Sequence, residues 1–69
     1  MNIKELAENI YDGQTVTVKE YANPAEYVRD LMALADDNEW LDDLDAGQRG
    51  ELRWELSRTA EADWNWRAG

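Results

Sequence analysis

The sequence predicts a mainly α fold: one small domain spanning residues 1–69, with three to four short helices and one short extended segment. An α+β fold with a small sheet is the alternative. Three observations predict this. Residues 24–35 carry a broad apolar arc at helical spacing. Helix-start signals stand at Asn2, at Asn23-Pro24 and at Asp45. Only one run, Gln14–Tyr21, has the composition of a strand.

The first helix is expected over about 3–11, capped by Asn2. Ile3, Leu6, Ala7, Ile10 and Tyr11 fall on one face; Lys4, Glu5, Glu8 and Asn9 fall on the other. Asp12-Gly13 signals the stop. In QTVTVKEY, residues 14–21, Val16, Val18 and the threonines suit an extended chain. A lone strand leaves backbone groups unpaired. The segment therefore pairs with its own copy in a dimer, pairs with a short partner, or is merely extended.

Asn23-Pro24-Ala25-Glu26 places a good cap, a proline at the first helical position and an acid three residues after the cap. The helix it starts runs to about Ala35 or Asp36. At 100° per residue, Tyr27, Val28, Leu31, Met32, Leu34 and Ala35 cover an arc about 160° wide. Asn38 is expected to cap a short helix that turns Trp40, Leu41 and Leu44 inward. Asp45, with Gln48 three later, caps a last helix over about 46–63. Gly47 and Gly50 weaken its first turns, and Leu52, Leu56 and Ala60 form its inner stripe. The tail Trp64-Asn65-Trp66 is expected to fold back over the core.

Composition narrows the function classes. The chain has 69 residues, 43% of them apolar, with four Trp and three Tyr, which is too apolar for a disordered acidic tail. There is no Cys, which excludes disulfides and thiolate metal sites. The N-terminus MNIKELAENIY lacks the apolar run of a signal peptide, and no stretch approaches the roughly 20 apolar residues that span a bilayer. A cytoplasmic protein that avoids membranes is expected. There is also no His. Ser57, Thr15, Thr17 and Thr59 sit in no nucleophile motif and have no imidazole to activate them. We therefore expect no enzyme, no catalytic residue and no cofactor. Aligning the glycine of a calcium loop with Gly47 or Gly50 puts Leu44 or Gly47 where a ligand must stand, so no metal site is assigned.

Charge is unevenly placed within the net −9. Residues 1–23 carry Lys4 and Lys19 against Glu5, Glu8, Asp12 and Glu20, a net of −2. Residues 24–45 carry Arg29 against Glu26, Asp30, Asp36, Asp37, Glu39, Asp42, Asp43 and Asp45, a net of −7. Residues 46–69 hold four Arg and four acids and are neutral. The stretch DDNEWLDDLD, residues 36–45, has six carboxylates in ten positions. Adaptation to high salt spreads acid over a whole surface, which the neutral last third does not show. Caps account for two or three of these acids: Asp37 and Glu39 suit a helix N-terminus and Asp45 caps the next. Two such charges about 6 Å apart repel by roughly 0.7 kcal/mol in water, so the cluster costs stability.

That expense suggests a partner with a positive groove. Proteins that hold nucleic acid present Lys and Arg to phosphates spaced along a strand. Asp30, Asp36, Asp37, Glu39, Asp42, Asp43 and Asp45 are the expected partner-binding residues, standing in for a run of phosphates on successive helical turns about 5–6 Å apart. The partner is then a nucleic-acid-binding protein or complex, with no direct nucleic-acid contact by this chain. A second candidate contact is Trp54 with Arg58. Trp54 falls about 160–200° from Leu52 and Leu56 around the last helix, opposite its inner stripe. It is either clamped by the tail or an exposed anchor of a helical adaptor, whose acids only solubilise; residues 14–21 are that adaptor's other possible edge. The chain is a monomer or a homodimer.

In length, acid excess and lack of Cys and His, with DDNEWLDDLD as its nearest thing to a signature, the whole chain resembles small acidic inhibitors of phages and mobile elements. These include DNA-mimic proteins and several anti-CRISPR proteins. The resemblance implies an inhibitor in the host cytoplasm, whose acidic surface competes with target DNA for a CRISPR effector complex or another DNA-binding host protein. It rests on no motif and assigns no residue.

Overall fold

A computed structural model describes residues 2–14 and 16–68, with side chains through Asn65. Among the described residues the fold comprises three α-helices and one 3-10 turn: α1 (Ile3–Asp12), the 3-10 turn (Val18–Glu20), α2 (Pro24–Asp37) and α3 (Ala46–Ala68). No strand occurs among the described residues. At 1.5 Å per residue, the 23 residues of α3 span about 34 Å, close to the 37 Å long dimension of the molecule. The shorter helices pack along this spine. α2 runs antiparallel to α3, because residues Asn23–Ala25 at its start face Ser57 and Glu61. The end of α1 meets the start of α2, where the Tyr11 and Tyr27 rings pack edge to face at 5.6 Å.

Each helix starts where its cap dictates. The Asn2 side chain accepts from the N–H groups of Lys4 and Glu5. Asn23 accepts from Glu26 N–H at 3.0 Å, with Pro24 at the first helical position. Asp45 and Gln48 form a reciprocal box: Gln48 N–H donates to Asp45 Oδ1, and Asp45 N–H donates to Gln48 Oε1. Each cap satisfies donors that have no intrahelical acceptor. The core they align comprises Ile3, Ala7 and Ile10 of α1, Tyr27, Val28, Leu31 and Ala35 of α2, Leu52, Leu56 and Ala60 of α3, and Val18, Leu41 and Leu44 from the connections. Burying a Leu or Val of this kind contributes about 1.5–3 kcal/mol.

Of the alternatives open for residues 14–21, a strand paired within the chain does not occur among the described residues. In a strand, Val16 and Val18 would face the same way. Here Val18 is fully buried while Val16 is 42% exposed. The 3-10 turn takes up the backbone instead. Thr17 N–H donates to Glu20 Oε2, and the Val16 carbonyl accepts from the Tyr27 hydroxyl at 2.9 Å. With no neighbouring strand among the described residues, these two bonds satisfy groups that a ladder would otherwise hold.

Residues 38–45 form no helix. α2 ends in a Schellman arrangement: Trp40 N–H donates to the Ala35 carbonyl and Glu39 N–H to the Asp36 carbonyl. Glu39 takes the left-handed conformation this requires, at φ 63°. The resulting change of direction sends Leu41 and Leu44 inward but leaves Trp40 43% exposed, so Trp40 is not a core residue. Leu34, placed on the apolar arc by periodicity, is likewise 37% exposed, because it lies at the edge of that arc.

The tail does not fold back. α3 continues past residue 63 to Ala68, and Trp64 packs against the core from within the helix. The expectation that Trp66 covers the core falls on a side chain outside the described residues, as Thr15 does.

Candidate functional site: an acidic end and a tryptophan face

All seven acids expected at the site, Asp30, Asp36, Asp37, Glu39, Asp42, Asp43 and Asp45, are exposed. They do not form one row on successive helical turns. Asp30 and Asp37 lie seven residues apart on α2, so they share a face about 20° wide and stand about 10 Å apart along the axis. Glu26 falls on the same line, one turn before Asp30, and was missed as a site residue although the 100° rule places it there. Asp36 points about 100° away from Asp37, on the azimuth of Arg29. Glu39, Asp42, Asp43 and Asp45 belong to the α2–α3 connection. The acids thus form a stripe along α2 that runs into a cap over one end of the molecule.

The connection is held from below by Arg49, a role that charge counting alone does not reveal. Its Nε donates to the Leu44 carbonyl at 3.2 Å and its guanidinium donates again to the Leu41 carbonyl at 2.9 Å. Its hydrogen bonds go to backbone, so the nearest arginine of α3 braces the acidic loop without pairing with its carboxylates. Arg58 is engaged elsewhere, 3.1 Å from the buried Glu55. Among the described residues, none of the seven acids forms an ion pair. Two have polar neighbours: Asp45 caps α3, and Asp30 lies beside the Tyr21 hydroxyl. Among the described residues, no group of three or more carboxylates is arranged to hold a metal ion.

The tyrosines anchor the other end of the stripe. Tyr21 packs on Tyr27 at 5.1 Å, and Tyr27 on Tyr11. The hydrogen bond to Asp30 raises the Tyr21 pKa above 10.0, with burial and the charges of Asp30 and Glu20 adding to it. Burial chiefly raises that of Tyr27, followed by Tyr21, Asp63 and Glu20. Both phenols therefore remain protonated donors at neutral pH. Tyr11 donates to Asp63 at 3.0 Å.

Trp54 and Arg58 form the second surface. Trp54 is 61% exposed, the most exposed of the large apolar side chains among the described residues. The Arg58 guanidinium lies over its ring, 5.3 Å from the centroid, within cation–π range. Ser57, Glu61 and Asn65 complete an open trough of about 360 Å³ around them. Trp40 borders a smaller, mostly apolar cleft of about 180 Å³ with Leu6, Asn9 and Ile10.

The arrangement defines a small all-α domain with one acidic end and one neutral, aromatic helix face. No helix among the described residues is long and apolar enough to cross a membrane. Comparison with protein-family models, curated proteins and solved structures gives no match.

Proposed function

We propose that this protein is an acidic DNA mimic: its acidic end enters the positively charged groove of a nucleic-acid-binding protein, such as a CRISPR effector complex, and blocks DNA binding. One observation carries this reading. Six of the seven exposed acids crowd a stripe of α2 and its adjoining loop, Asp36 lies on a separate azimuth of α2, and none has an ion-pair partner among the described residues, while the arginines of α3 whose side chains are described bind backbone carbonyls or Glu55, or, as Arg53, lie exposed with no ion pair. Full negative charge is therefore presented to solvent. In a groove lined by Lys and Arg, these carboxylates would replace phosphates and displace the same counterions. The long-range field would also speed encounter with a basic partner.

The test is charge reversal. Asp36, Asp37, Asp42 and Asp43→Lys leaves the Asp45 cap intact. A nucleic-acid-binding protein captured by the native chain should be lost by this variant, should be displaced by duplex DNA, and should release as salt is raised. Capture that survives the reversal, or a duplex that binds alongside the chain, refutes the mimic. Trp54 favours a second reading, a helical adaptor that docks through Trp54 and Arg58. That adaptor would tolerate the reversal and fail on Trp54→Ala.

A further inference from the structure

We infer that the Trp54 face of α3 is a self-association surface, on which two copies of this chain pack antiparallel about a two-fold axis near residues 54 and 55. The inference is independent of the acidic end. At 100° per residue, Gly47, Gly50, Trp54, Arg58 and Glu61 share one face of α3, opposite Leu52 and Leu56. All five are exposed.

Charge selects the occupant. Residues 1–45 carry the whole net charge of −9, and residues 46–69 carry none. α3 is thus the part of the chain that a second copy can approach without meeting concentrated like charge. Its pattern is also complementary to itself. Glu51 and Arg58 are seven residues apart on one flank of Trp54. An antiparallel copy centred beside Trp54 brings each Glu51 level with the other copy's Arg58, twice over, and sets the two Trp54 rings against each other. Such an arrangement is isologous: the same patch serves both subunits. A strongly basic or strongly acidic partner would gain nothing from this alternation.

The glycines fit the same geometry. A Cβ at Gly50 would meet nothing within 4 Å, and one at Gly47 would meet only Asp45 Oδ1, at 3.4 Å. Packing within the chain therefore requires neither glycine, although both lower helix propensity. In the antiparallel pair they lie level with positions 58–62 of the other copy, where a bare backbone lets the axes approach to the usual 8–10 Å. Trp54 supplies the buried anchor, and the flanking ion pairs set the register.

Sedimentation equilibrium tests this directly. The mass should rise from 8.0 kDa towards twice that value as concentration increases from about 1 to about 500 μM. Gly50→Leu points into open space in the single chain, so it should fold normally yet weaken association at least about tenfold; Trp54→Ala should do the same. Glu51→Lys and Arg58→Glu should each be monomeric alone, and an equimolar mixture should associate, because both cross-pairs become complementary again. A native chain that stays monomeric throughout overturns the inference, as does a dimer indifferent to Gly50→Leu. If Arg58→Glu does not fold, because Glu55 loses its partner, Gly50→Leu and Trp54→Ala decide alone. A monomer that instead captures a different protein through Trp54 also overturns it, in favour of a foreign partner.

Discussion

Glu39 shows how one backbone angle places the acidic loop. An L-residue at φ 63° crowds its Cβ against the carbonyl that follows, which is why glycine usually fills this point of a Schellman cap. The chain tolerates the strain because two backbone hydrogen bonds, Trp40 N–H to Ala35 and Glu39 N–H to Asp36, close only in this conformation. Glu39→Gly should remove the strain and one repelling charge, and raise unfolding free energy by about 0.5–1 kcal/mol. Urea denaturation followed by Trp fluorescence measures it. A loss of stability would mean that the carboxylate makes a compensating contact. Glycine at this position would also have announced the turn in the sequence. With glutamate there, residues 38–45 read as a separate short helix capped by Asn38, and Trp40 is assigned inward although it is 43% exposed.

At the level of elements, the helices were legible because their determinants are local. Asn2, Asn23-Pro24 and the Asp45–Gln48 pair act within three residues of themselves, and the structure makes each of these hydrogen bonds. The apolar periods of α1 and α2 then identify the faces that meet α3. The connections were not legible because their partners are distant in sequence. Val16 is held by the Tyr27 hydroxyl 11 residues away, and Leu41 by Arg49 eight residues away. No periodicity encodes such contacts. The candidate site divides the same way: the number of acids is plain in the sequence, but their division between an α2 stripe and a loop depends on the unforeseen turn. Arg49→Ala should therefore act on the loop above all. It strips the Leu44 carbonyl of its donor and leaves the Leu41 carbonyl with Leu44 N–H alone, at a cost of about 1–3 kcal/mol. Amide hydrogen exchange should accelerate for residues 41–45 more than for α1. Uniform acceleration, or none, would show that Arg49 does not brace the connection.

For the whole molecule, the decisive property is how the charge of −9 is divided. Two-thirds of the chain repels itself while α3 is balanced, so folding draws the acids of α2 and its connection together against a Coulomb penalty. Several pairs at roughly 0.7 kcal/mol each before screening amount to about 1–2 kcal/mol, a large share of what a domain this small has in reserve. The Debye length falls from about 30 Å at 0.01 M salt to about 10 Å at 0.1 M, so added NaCl should relieve the penalty. We expect the melting temperature to rise by about 5–10 °C between low and moderate NaCl, given about 4–8 °C per kcal/mol for a domain of this size. Replacing Asp36, Asp37, Asp42 and Asp43 by Lys takes the net charge from −9 to −1. That variant should melt higher at low salt and respond little to NaCl. A native protein whose melting temperature is flat or falls with salt would mean that the acids do not repel in the folded state. Their crowding would then carry no penalty needing a functional explanation, and the case for a phosphate mimic would lose its energetic basis.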